Sequence, residues 1–89
     1  MIRPLNEIAH DIHSNWTALR NNPNHYAAPY LQAMYALESI NDNFYADSGR
    51  SVVLYFLANA NSWRGDTARR IKAELKAMLK PQQLKLNLQ

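Results

Sequence analysis

Glu7, His10, Asp11 and His13 form the densest group of metal- and proton-binding side chains in this 89-residue chain. Carboxylates and imidazoles on one helix face are the donor types of zinc sites and of general acid–base pairs. The spacing argues against both. His10 and His13 are three residues apart, where the helical zinc motif needs four, and no third ligand is signalled. An exposed polar helix face accounts for all four residues. His25 lacks an orienting acid and a shaped nucleophile turn, so nucleophilic catalysis is short of its parts. Only two glycines, Gly49 and Gly65, are present, which excludes a glycine-rich phosphate loop. The absence of cysteine excludes a disulfide framework and a thiolate zinc site. No cofactor, metal or small-molecule substrate is indicated, and the chain is not expected to be an enzyme.

Two other groups of residues suit binding. Arg64, Arg69, Arg70, Lys72, Lys76 and Lys80 crowd the end of the chain, and Arg69, Lys72, Lys76 and Lys80 recur at helical spacing. Cations aligned on one helix neutralise phosphates, so these six are nucleic-acid-binding candidates. A solvated helix face has the same pattern, and that plainer reading ranks first. Trp63 beside Arg64 invites base stacking, although a tryptophan at the end of an apolar helix is more often a core anchor. Arg64-Gly65-Asp66 spells an adhesion tripeptide but reads here as a helix entry.

The second group is aromatic. Five tyrosines and two phenylalanines exceed what a small core easily hides. Tyr26, Phe44 and Tyr45 fall in loops or helix entries, next to Asp42 and Asp47, and these five residues are the candidates for a protein interface. The competing reading has tyrosines rimming a small core with their hydroxyls in water.

These residues need elements to position them, and periodicity gives four helices. Leu5, Ile8, Ala9, Ile12, Trp16 and Leu19 share one face of the first, with Pro4 suited to its first turn. The second runs from near Pro29 to about Asn41. The loop NDNFYADSG follows, with Asp47 or Ser48 able to cap a third helix over about residues 51–62. Val52 to Leu57 also has the composition of a buried strand. Helix is preferred because no partner strand is evident and Ala58 and Ala60 carry the segment past strand length. Leu54, Phe56 and Leu57 are expected in the core. The fourth helix spans Thr67 to Lys80, with Asp66 as cap and Ala68, Ile71, Leu75 and Met78 as its buried stripe. After Pro81 the leucines alternate, as in an extended or disordered tail.

Composition is that of one small globular domain, 47% hydrophobic and 19% charged. The longest apolar run, Val52 to Ala58, is far short of the roughly 20 residues a bilayer span needs, and the first residues lack a signal-peptide centre. A soluble, cytoplasmic protein is expected. Net charge is +3, distributed unevenly: residues 1–62 hold three basic and five acidic side chains, residues 63–89 seven basic and two acidic. Such asymmetry steers acidic partners to one end or pairs the chain's own halves.

The stretches DSG, YFLANA, WRG and ARRIKAEL, within residues 47–79, resemble short helical proteins of unknown function encoded by bacteriophages and mobile elements. NWTALRNN and YLQAM upstream extend the likeness. The resemblance carries no activity and no functional residues. It implies a setting in which small accessory proteins bind host or phage macromolecules.

The expected molecule is all-α, a compact four-helix bundle over residues 1–80 with its third helix central and a tail over 81–89. Its expected role is non-enzymatic binding to a protein partner, with homo-oligomers included. DNA or RNA binding through the fourth helix is the alternative.

Overall fold

The computed structural model describes residues 2–80. The order is α1 (Leu5–Asn15), α2 (Thr17–Arg20), α3 (Ala28–Tyr35), β1 (Asn43–Phe44), β2 (Asp47–Ser48), α4 (Gly49–Ala58) and α5 (Asp66–Met78). The protein is mostly helical, as expected. It has five helices and a short hairpin among the described residues, where four helices and no strand were expected. The expectation of a tail over 81–89 lies outside the described residues.

The first helix stops where a single long one was expected. Leu5, Ile8, Ala9 and Ile12 are buried along α1, but the backbone leaves the helix at Trp16 (φ −93°, ψ 83°) before α2 resumes. The reason lies in the core. Trp16 stacks on Trp63 at 5.5 Å between ring centroids and meets Phe56 edge-on. Asn15, at the break, accepts a 2.8 Å hydrogen bond from the Trp63 indole N–H. A buried indole needs such an acceptor.

Helix α3 ends at Tyr35, six residues short of the expected Asn41. The freed carbonyls have partners. Leu37 O accepts from Asn6 N, and Glu38 O from Leu5 N, each at 2.9 Å. These bonds satisfy amides that the first turn of α1 leaves without helical acceptors. Leu37 itself is buried.

The Asp42 carboxylate then accepts from the amides of Glu38 and Ser39 at 3.0 and 3.2 Å and so closes a tight turn. Gly49 is packed against that turn, where a Cβ would lie 2.6 Å from the Ser39 carbonyl oxygen and 2.9 Å from Ile40 Cα. Between them runs the hairpin, with Asn43 opposite Ser48 and Phe44 opposite Asp47.

Residues 52–57 are helical. Ser48, one of the two expected caps, accepts from Ser51 N at 3.1 Å. Val52, Val53 and Phe56 are buried, while Leu57 is only half-buried and Leu54 is 49% exposed. The expectation that Leu54 belongs to the core is therefore corrected: once Val52, Val53 and Phe56 point inward, the 3.6-residue period turns position 54 to solvent. The helix ends at Ala58, before the expected Ser62.

Gly65, at φ 113°, makes the sharp entry to α5. It occupies the cap position expected of Asp66, which is instead the first helical residue and pairs with Arg69. Ala68, Ile71, Leu75 and Met78 are buried, as their spacing required. The main packing runs from α1 to α3 and from α3 to α4, with α5 against α1. Thus α3 lies between two helices, where the next helix was expected to be central.

Candidate functional site

Two surfaces carry the candidate residues, and different elements build them. The aromatic one centres on the hairpin. Its two-residue loop, Tyr45-Ala46, places Tyr45 at φ 56°, in the left-handed region, with the side chain 90% exposed. A positive φ at the first loop residue is a geometry that favours glycine, and a bulky side chain there is an outlier. The ring stands edge-on to Phe44 at 4.7 Å, and Phe44 packs against the core. Tyr45 is thereby presented outward from an anchored base.

Tyr26, 82% exposed, sits on a separate element, the turn into α3. That turn is held by His25 Nδ1, which accepts from Ala27 N at 3.0 Å, while the His25 ring packs edge-on to Trp16. No ring contact among the described residues joins Tyr26 to the hairpin. Asp47 is exposed beside Tyr45 on β2. The other acidic candidate, Asp42, has its carboxylate engaged in closing the turn and is a structural residue.

Sequence reasoning missed Leu54 and Tyr55, both about half exposed on α4. Tyr55 packs against Tyr30 of α3 at 5.5 Å. A signal was present: a helix of this composition cannot bury all of a continuous apolar run, so some of it must face out.

The basic surface follows α5. Arg69, Lys72 and Lys76 lie on one flank, as the helical period gives, and Lys80 follows two residues past the helix end at Met78, where the helix was expected to reach Lys80 itself. Lys72 is fixed in place: its Nζ donates to the Trp63 carbonyl at 2.7 Å and lies 5.8 Å from the centre of the Trp63 ring. Partial burial lowers the Lys72 pKa, and the charges of Lys76 and Arg64 lower it further. Arg64, Lys72 and Lys76 therefore feel one another. Trp63 is 3% exposed, a core anchor and not a stacking platform.

Arg70 does not join them. It lies toward the opposite flank, where its charge helps to lower the Glu74 pKa. There Arg3 clamps Glu74 with two hydrogen bonds of 2.8 and 2.9 Å and also reaches Asp11 at 2.6 Å and Glu7 at 3.4 Å. Hydrogen bonding to Arg3 is the main reason the Glu74 carboxyl is held below its usual range. The same contacts raise the Arg3 pKa.

The four residues with metal-ligand chemistry on α1 are thus divided. Glu7 and Asp11 serve Arg3, and the rings of His10 and His13 pack on Tyr35 at 4.9 and 6.4 Å. An open cleft of about 440 Å³ lies between His13, Arg20 and α3, but the Arg20 guanidinium is occupied by the carbonyls of His13 and Ser14. No helix among the described residues is long and apolar enough to cross a membrane. No family model, curated protein or solved structure matches the chain.

Proposed function

We propose that this chain is a non-enzymatic accessory protein that binds a protein partner through the aromatic surface around Tyr45. Its setting is that of the phage and mobile-element proteins it resembles, and the partner is host machinery inside a bacterial cell. The observation that carries this reading is Tyr45 itself. An exposed tyrosine at φ 56° gives up backbone energy, of order 1–2 kcal/mol for a left-handed non-glycine residue, with no burial in return. Such an outlier points to a role outside the fold. Tyrosine suits that role, because it gives a large contact area with few rotors to order and a hydroxyl to direct it. Asp47 extends the surface, and Tyr26, on the turn into α3, is a second and separate exposed tyrosine.

Tyr45→Gly separates fold from function. Glycine relieves the left-handed strain at a smaller entropic cost, so the variant should be more stable by up to about 1 kcal/mol. It should also lose the partner. Immobilised wild type is compared with Tyr45→Gly, and separately with Tyr26→Ser, for capture of protein from nuclease-treated bacterial lysate. Sedimentation across a concentration series asks whether the partner is a second copy. Capture and self-association that are the same in wild type and both variants would refute the reading.

A further inference from the structure

The basic flank of α5 is a separate surface. We propose that it binds the phosphate backbone of nucleic acid without reading sequence, through Arg69, Lys72, Lys76 and Lys80, with Arg64 beside them.

The shape is a row, not a cluster. At 1.5 Å of rise per residue, Arg69 to Lys76 spans about 10 Å along the helix, the length of about three nucleotides of one strand at 3.4 Å each, and Lys80 stands past the helix end. A single small anion would use only one end of it. Of the acidic side chains of α5, Glu74 faces Arg3 on the opposite flank, and Asp66 pairs with Arg69 alone, at the start of the row. That last pair is exposed at both partners, so phosphate replaces the carboxylate at little cost. Lys72 is already held over Trp63, and so loses less freedom on binding than an unrestrained lysine.

A helix C-terminus is the wrong end for an anion, since its free carbonyls carry partial negative charge. Arg50 removes that objection. Its guanidinium reaches from α4 to donate to the Leu79 carbonyl at 2.9 Å, placing a positive charge at the end of α5 beside Lys80. The chemistry favours nucleic acid over an acidic protein. Beyond the row the exposed residues of α5 are Asp66, Arg70 and the small Ala73 and Ala77, so the flank lacks the aromatic, lysine-poor centre of a protein interface. It also lacks amide side chains to read adenine edges, and its lysines and arginines serve as contacts to phosphate.

The test is titration of a short labelled DNA duplex of arbitrary sequence between about 50 and 200 mM salt. Wild type should bind with a log–log salt slope near −3 to −4, the value for about four phosphates neutralised. Lys76→Ala should reduce the slope by about 1, Lys76→Arg should restore it, and Arg70→Ala should leave it unchanged. Lys76 is exposed, so a thermal melt shows whether its variants remain folded. Absence of binding at low salt would overturn the proposal. So would equal losses in Lys76→Ala and Arg70→Ala, which mean general attraction of a basic protein. Polyglutamate is the final arm: binding as tight as to the duplex, with the same dependence on Lys76, would assign the flank to an acidic protein and refute the nucleic-acid proposal.

Discussion

The two flanks of α5 put charged side chains to different ends. On one, Arg3 joins Glu74 of α5 to Asp11 and Glu7, and ties the start of the chain to the last helix. On the other, Lys72, Lys76 and Lys80 make no ion pair with an acidic residue among the described residues. The difference teaches that net charge does not identify a binding face. What identifies it is the charge left over once the fold has satisfied its own pairs.

The unpaired flank rests on the tryptophan stack through Lys72, and the largest effect should come from removal of that stack. Trp63→Ala deletes a buried ring, the hydrogen bond to Asn15 and the surface under Lys72, and should cost about 3–5 kcal/mol in a denaturant melt. A loss well below about 1 kcal/mol would mean that the stack is not a main support of the core under Lys72.

The paired flank should show a smaller, pH-dependent effect. Arg3→Ala leaves a partly buried Glu74 without its partner and should cost about 1–2 kcal/mol near neutral pH, less than a fully buried charged hydrogen bond because solvent reaches the site. The Glu74 pKa is lowered by folding, so this contribution is complete above its unfolded value near 4.5 and is lost as the pH falls through the folded one. Melts of wild type and Arg3→Ala should therefore differ at neutral pH and converge on acidification. A difference that does not change with pH would break the assignment.

The unpaired flank should respond least. Lys76→Ala should alter stability by less than about 0.5 kcal/mol, as expected for an exposed side chain with no specific contact. It should also raise the Lys72 pKa toward the ordinary lysine value, because one of the charges lowering it is gone. Direct titration of the Lys72 Nζ by NMR reads this out. An unmoved Lys72 would mean that Lys76 does not contribute to its titration and that the two lysines do not act together.

The elements were more legible in the sequence than their arrangement. The stripe of α5 was readable because Ala68, Ile71, Leu75 and Met78 repeat at the helical period, and that period is local. The Ser48 cap was readable for the same reason, as it acts on a residue three positions away. The candidate surfaces were legible in part. Tyr26 and Tyr45 are exposed, but Asp42 closes a turn, Arg70 faces the other flank, and Leu54 and Tyr55 escaped notice within an apolar run.

Residue types and spacing alone determined that helices dominate, which positions line α5, and that the cations gather at the end of the chain. Each of these depends on neighbours within about one helical turn, or on composition. Tertiary structure decided where α1 breaks, where α3 stops, that a hairpin presents Tyr45, and which cations remain unpaired. Those outcomes depend on partners distant in the sequence. Asn15 is at the break because Trp63, 48 residues away, needs an acceptor, and Glu74 faces α1 because Arg3, 71 residues away, holds it there. A buried polar group must be satisfied wherever a partner lies, and only the folded chain brings those partners together.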